Sequence, residues 1–142
     1  MAANTSPIFV LTGDNQWITG IVTANATADI TSGTSYLVYT APTDGGYVEG
    51  VKVKANPANN TIATVMRFWI NNGSTTGTAA NSALYGEMTI PATTASISLA
   101  NPEFYFPMDI MLLATHRIYI TVATAPGGSG AFTAIAVAGK YA

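Results

Sequence analysis

Charged side chains are scarce in this sequence. Asp, Glu, Lys and Arg together make up 8% of its 142 residues, whereas ordinary globular domains carry about 25%. Five basic residues against seven acidic ones give a formal net charge of -2. Because nucleic acids and anionic membranes are bound mainly through clustered Lys and Arg, we expect neither as a partner. An electrically neutral partner surface suits this composition better.

Cysteine is absent, and histidine occurs once, as His116. Disulfide bonds and thiolate metal sites are therefore excluded, and so is a histidine-rich metal site. No apolar run approaches the length of about 18 residues that a membrane-spanning helix needs. The N-terminal segment also does not resemble a secretory signal. We expect a soluble protein that is made in a cytoplasm and needs no cofactor.

Strong helix formers are also few, and β-branched and aromatic residues cluster in short runs with period-two alternation. Gly, Pro, Asn and Asp separate these runs, as expected for turns. The pattern predicts an all-β fold: an antiparallel two-sheet sandwich, jelly-roll-like, with about eight strands. We expect one sandwich domain over residues 17–142, preceded by an N-terminal arm or edge strand over residues 1–16. The candidate strands cover residues 8–12, 17–23, 36–40, 47–55, 61–70, 84–90, 96–99, 103–113, 117–124 and 132–139.

The run at residues 61–70 is apolar on both faces. One face carries Val65, Arg67 and Trp69, and it needs cover from a loop, a terminal arm or another subunit. Because an exposed Trp and Val beside so few charges would favour aggregation, we expect self-association through this face, with a trimer favoured. The opposite face belongs to the predicted core, which consists of Ile62, Met66, Phe68, Ile70, Phe104, Phe106, Ile118, Ile120 and Val122.

Two positions interrupt the regular alternation. Pro107 lies inside the run at 103–113, and its missing N–H predicts a kink or an edge strand there. At Glu49-Gly50 the alternation between Val48 and Val51 breaks, which predicts a β-bulge.

Residues that could carry chemistry are isolated from one another. His116 is a candidate general base, although its place just before a strand favours a polar connecting residue. The run Gly127-Gly128-Ser129-Gly130 lacks the Lys-Ser/Thr and the helix of a phosphate-binding loop, and it predicts a hairpin loop instead. We therefore predict no catalytic, metal-binding or cofactor-binding residue. Four aspartates fall in predicted loops or kinks, where one could bind calcium or, more simply, cap a turn: Asp14, Asp29, Asp44 and Asp109.

The aromatic residues allow two interpretations. They could stack on sugar rings, as in carbohydrate-binding sandwiches, or they could fill a core or an oligomer interface. No three of them fall in one predicted loop or along one polar face, so the sequence favours the second interpretation. The residues concerned are Trp17, Tyr36, Tyr39, Tyr47, Trp69, Tyr85, Tyr105, Tyr119 and Tyr141.

Several stretches taken in order resemble a group of small tailed-phage virion proteins, the capsid decoration or cement proteins. The stretches are VEGVKVKA (48–55), TIATVMRFWINNGS (61–74), LYGEMTIPATTAS (84–96), FYFPMDIMLLATHRIYITVATA (104–125) and FTAIAVAGKY (132–141). The resemblance covers roughly residues 36–141, and the first 35 residues fall outside it. It implies a compact β-sandwich, often trimeric, that sits on the outer capsid where major capsid subunits meet, with no catalytic residues.

The function predicted from these features is capsid decoration, with the major capsid protein as partner and the virion surface as location. Two alternatives remain open: a tail-fibre or receptor-binding tip, and a carbohydrate-binding module or other adhesion domain. Fibre proteins usually show repeats or a trimerising stalk, and a sugar-binding module should show an aromatic platform or calcium carboxylates. The candidate interface residues are Ile8, Phe9, Val10, Leu11, Val65, Arg67 and Trp69, of which the first four could add a strand to a capsid subunit or to a neighbouring protomer.

Overall fold

A computed structural model describes residues 10–31 and 33–141. Its described part contains nine β-strands and one short 3-10 turn at Ala79–Asn81. The predicted run at 96–99 is not a strand, because the Ser96 hydroxyl accepts the backbone N–H groups of Ser98 and Leu99 and closes a turn. The strands are β1 (Thr12–Gly13), β2 (Gln16–Ile21), β3 (Tyr36–Thr40), β4 (Gly46–Ala55), β5 (Thr64–Asn71), β6 (Ser82–Ile90), β7 (Glu103–Leu112), β8 (Arg117–Val122) and β9 (Phe132–Lys140).

The strands form two antiparallel sheets, which confirms the predicted sandwich. In sheet A, β1 and β2 both pair with β9, and β4 and β7 follow. In sheet B the order is β3, β8, β5, β6. From β2 onward the chain crosses to the other sheet at every connection except that between β5 and β6, which are neighbours in sheet B, and this is the strand order of a jelly roll. This order places the connections after β2, β4, β6 and β8 at one end of the sandwich and those after β3, β5 and β7 at the opposite end, whereas β1 and β2 follow one another along β9.

The core lies between the two sheets. Phe68 is fully buried, and its ring stacks on that of Phe106 with 4.2 Å between ring centres. Ile70 and Phe104 are partly buried and pack against the same cluster. The prediction was wrong for Ile62, which is 49% exposed, because regular β5 pairing begins only at Thr64 and the alternation does not extend back to it. The predicted residues that are buried in the core are Met66, Phe68, Ile118, Ile120 and Val122.

A stacked bulge crosses sheet A at Glu49-Gly50, as predicted. Relative to β9, β4 carries one extra residue at Glu49. Relative to β4, β7 also carries one extra residue. Two residues lie between Pro107 and Ile110 on β7, and only Glu49 lies opposite them on β4. Asp109 in this bulge has a φ of 49°. Pro107 lies on β7, which is an edge strand of sheet A. Its missing N–H limits pairing with a further strand there.

Candidate interaction surfaces

The described part of the predicted N-terminal segment extends sheet A. Ile8 and Phe9 lie outside the described residues. Leu11 is exposed, and its backbone N–H donates to the carbonyl of Lys140 over 2.9 Å. Val10 is exposed as well, and its side chain lies over Gly139, where any larger residue would overlap it. The chain entering β1 thus runs alongside the end of β9.

The three other candidate interface residues do not form an exposed surface. Trp69 is only 4% exposed and packs with Ile30 and Tyr119 in a second, smaller cluster outside sheet B. Of the three kinds of cover that the strand pattern allowed, Trp69 has a loop of its own chain, and the exposed Trp69 from which self-association was expected is not found. Val65 is half-buried, and Arg67 donates through Nε to Glu87 Oε1 at 2.7 Å.

The cover for Trp69 comes from the chain's own connection between β2 and β3. Asn25 in this connection is buried, and its N–H donates to the carbonyl of Val122 over 2.7 Å. The Asn25 side chain then accepts the N–H and the hydroxyl of Thr27, at 3.2 and 2.6 Å. These bonds hold the connection against the outer face of sheet B, so that Ile30 reaches Trp69.

The connection between β5 and β6 covers a further part of that face. Arg117 donates through Nη1 to the carbonyl oxygens of Gly73, at 3.1 Å, and Ser74. Tyr119 donates its hydroxyl to the carbonyl of Thr75 at 3.4 Å. Much of the outer face of sheet B is therefore occupied by the chain's own loops.

The outer face of sheet A, by contrast, carries no loop bonded across it among the described residues. Strand register places four side chains in one row across this face, here named the aromatic row: Trp17 pairs with Ile135, Ile135 with Lys52, and Lys52 with Tyr105. Trp17 is 68% exposed, and Ile135 and Tyr105 are exposed as well. The sequence-based interpretation missed this row, because its members come from four strands whose pairing cannot be read from local pattern.

Polar groups flank the aromatic row. Tyr105 donates its hydroxyl to Glu49 Oε1 at 3.2 Å, and Lys52 Nζ lies 3.0 Å from Glu103 Oε1. Tyr47 donates to Asp109 Oδ1 at 2.8 Å, and this hydrogen bond raises the pKa of Tyr47. Partial burial, followed by the bond to Glu49, raises the pKa of Tyr105. Both phenols are therefore protonated hydrogen-bonding groups at neutral pH.

A second exposed feature lies at one corner of sheet A. Here the corner patch is defined as Val10, Leu11, Met111, Leu113 and Tyr141. Strand register brings these residues together: Thr12 pairs with Lys140, Lys140 with Gly46, and Gly46 with Leu112. Leu11, Tyr141, Met111 and Leu113 are the chain neighbours of these paired residues. Leu113 is 71% exposed, and Leu11 and Met111 are exposed to the same degree. A cleft of about 500 Å³ opens beside the patch and is lined by Thr43, Asp44, Gly45, Met111, Leu112, Leu113, Ala114 and Tyr141.

The isolated polar residues have ordinary structural surroundings. His116 lies in the connection between β7 and β8, where its N–H donates to the carbonyl of Leu113. Asp14 accepts the hydroxyl of Tyr39 at 3.1 Å. Gly130 donates to the carbonyl of Gly127 in a turn between β8 and β9. The prediction of a hairpin loop was wrong here, because β8 and β9 lie in different sheets and do not pair. Among residues 10–31 and 33–141, no three His, Asp or Glu side chains lie close enough together to hold a metal ion.

No family model matches the chain, and neither a curated protein nor a solved structure matches it. Within the described residues, no helix is long and apolar enough to cross a membrane. The corner patch and the aromatic row therefore provide the structural basis for assigning a function.

Proposed function

We propose that this chain is a non-enzymatic structural protein of a tailed-phage virion, which decorates and stabilises the outer capsid where major capsid subunits meet. The sequence resemblance to capsid decoration proteins supports this function. The stretches that carry the resemblance lie on β4 to β9 and on the connections between them. On this proposal the protein is made in the host cytoplasm and then binds to the assembled capsid.

The corner patch is the observation that carries the proposal. Burial of large apolar side chains such as Leu11, Met111 and Leu113 against a partner is favourable by about 25 cal/mol for each Å² removed from water. Contiguous exposed apolar patches on soluble domains typically mark contact sites for other proteins. The nearby cleft offers room for an apolar side chain of the capsid subunit, as interface anchors require.

The low content of charged residues is consistent with such a contact. With only 8% charged residues, attachment through the corner patch depends on shape and apolar burial rather than on ion pairs. Because salt screens exposed charges and leaves apolar burial intact, attachment should resist moderate salt.

A homotrimer is the proposed assembly state, as the resemblance implies. Burial of Trp69 within its own chain removes one reason for self-association, so the trimer now rests on the resemblance alone. Three identical corner patches would convert weak single contacts into firm attachment through high effective concentration. Light scattering should give three times the chain mass of 14.7 kDa, and a monomeric mass both in solution and on the capsid would reject the trimer.

Co-sedimentation with undecorated capsids of the same phage tests the function. The wild-type chain should bind, and Leu113→Asp should reduce binding about tenfold or more, because a buried unpaired carboxylate opposes the contact. Leu99→Asp is the matched control, since Leu99 is 74% exposed at the opposite end of the sandwich. Failure of the wild-type chain to bind would overturn capsid decoration and favour the tail-fibre alternative. Loss of binding in Leu99→Asp with retention in Leu113→Asp would place the contact at the other end.

Removal of residues 1–11 provides a second test of the same contact. This deletion eliminates Val10 and Leu11 and should weaken capsid binding in the same direction as Leu113→Asp. The thermal melting curve of the shortened chain should stay close to that of the wild type, because Val10 and Leu11 are exposed and precede β1, the first strand among the described residues. Undiminished binding by the shortened chain would restrict the contact to Met111, Leu113 and Tyr141.

A further inference from the structure

The aromatic row is separate from the corner patch. Lys52 in the row and Tyr47 beside the patch lie five residues apart on β4, which corresponds to roughly 16 Å along a strand. We infer that the aromatic row binds a neutral polysaccharide chain lying across the strands of sheet A. This inference does not depend on capsid attachment, because the two surfaces share no residue.

The geometry of the row suits an extended, linear ligand. Trp17 lies on β2 at one edge of sheet A and Tyr105 on β7 at the other. Three strand spacings of about 4.8 Å separate them, so the row is about 14 Å long. Both of its ends lie at sheet edges, and a polysaccharide longer than the row can continue past either edge.

The chemistry of the row matches that of sugar rings. A pyranose presents C–H groups on its faces and hydroxyl groups around its rim. The C–H groups are attracted to the negative face of an aromatic ring such as Trp17 or Tyr105. The carboxylates of Glu49 and Glu103 and the Lys52 ammonium lie at the Tyr105 end of the row, and they provide acceptors and donors for the hydroxyl groups.

The charges on this face favour a saccharide over a protein partner. Lys52 stands in the middle of the row and pairs with Glu103, whereas the centres of protein interfaces are depleted of Lys and Glu. Sugar hydroxyl groups can bond to such charged groups and compensate for lost hydration.

The same charges favour a neutral saccharide over an acidic one. Three carboxylates, from Glu49, Glu103 and Asp109, outnumber the two ammonium groups of Lys52 and Lys54 on the outward side of β4 and β7. The five groups together carry a net negative charge, which repels uronic acids and sulfated sugars over a distance that salt shortens. A polymer of neutral hexoses or pentoses meets no such penalty.

Binding to immobilised oligosaccharides tests the inference. The probes are neutral hexasaccharides of glucose, mannose, galactose and xylose, with a galacturonate hexamer as the acidic probe. The wild-type chain should bind at least one neutral probe, and Trp17→Ala and Tyr105→Ala should each weaken that binding about tenfold, or 1.4 kcal/mol. Leu84→Ala is the control, because Leu84 is exposed on sheet B. Tyr105→Phe keeps the ring, and it should therefore bind more tightly than Tyr105→Ala.

Tryptophan fluorescence supplies an independent readout in solution. Trp17 is exposed and Trp69 is buried, so only Trp17 should be quenched strongly by iodide. The hexasaccharide that binds should protect Trp17 from iodide and shift its emission to shorter wavelength, and Trp17→Ala should abolish both changes. The inference is overturned if no neutral probe binds, if only galacturonate binds, or if binding survives both alanine substitutions. Leu113→Asp should leave saccharide binding unchanged, which separates this site from the capsid contact.

Discussion

Trp69 donates its indole N–H to the hydroxyl oxygen of Thr121, 3.0 Å away, in a buried site closed by Ile30. The two residues lie on neighbouring strands of sheet B and face away from the main core. The connection between β2 and β3 folds over them and creates a second small core on the outside of the sheet. Sheet A has no comparable cover among the described residues, and this asymmetry decides which face of the sandwich is free to bind.

The bond between Trp69 and Thr121 should contribute measurably to stability. Thr121→Val removes the acceptor while nearly preserving the shape, and it leaves a buried N–H without a partner. We expect the free energy of unfolding to fall by about 1–3 kcal/mol, measured by urea denaturation. Thr121→Ser keeps the hydroxyl and should cost less. Equal losses in the two variants would show that packing, rather than the hydrogen bond, stabilises this site.

Phe68 should be the most sensitive position of the main core. Its ring is fully buried and stacks on Phe106, so Phe68→Ala leaves a cavity between the sheets. We expect a loss of about 3–5 kcal/mol in the free energy of unfolding. Leu84→Ala, at an exposed position, should change stability by no more than about 0.5 kcal/mol. A loss below about 1 kcal/mol in Phe68→Ala would contradict the packing described here.

Gly86 should not tolerate a side chain. A Cβ atom at this position would lie 2.5 Å from the Phe106 ring, and stacking on Phe68 restricts the movement of that ring. Gly86→Ala should therefore lower the free energy of unfolding by about 1–3 kcal/mol, as overpacking does. Gly13→Ala is the matched control, because nothing lies within 4 Å of its Cβ position. Equal stability of the two variants in thermal melts would show that Phe106 can move aside.

Tyr39 should make the fold sensitive to alkaline pH. Burial, and then the nearby carboxylate of Asp14, raise the pKa of Tyr39 above its ordinary value of 10.0. The folded state therefore holds this proton more tightly than the unfolded chain does. Its contribution to stability is fully present below about pH 10 and is lost as the pH rises further.

Urea denaturation at about pH 8 and about pH 11 measures this effect. Stability should fall with pH in the wild type, and the fall should be smaller in Tyr39→Phe, which has no proton to lose. Tyr47→Phe is the control, because its hydroxyl bonds to Asp109 at the surface and should contribute little. Equal pH dependence in the wild type and Tyr39→Phe would contradict the role given to Tyr39.

Local pattern was sufficient to predict most strands and their inward faces. Ile118, Ile120 and Val122 alternate with more polar neighbours, and Met66 and Phe68 share one face of β5; all five are buried, as their period of two requires. Ile62 was misplaced because alternation indicates which side a residue faces only while the strand remains paired. Here regular pairing starts at Thr64, after an isolated bridge between Thr61 and Thr93.

The sequence by itself determined the fold class, the inward side of most strands and the bulge at Glu49-Gly50, and it limited Pro107 to a kink or an edge strand. These features depend on neighbours along the chain, where the period of two and the chemistry of Gly and Pro act directly. Only the tertiary structure decided that Ile30 covers Trp69 and that Trp17 shares a row with Tyr105. Both relationships join residues far apart in sequence, and they follow from strand order and loop path, which local preferences do not specify.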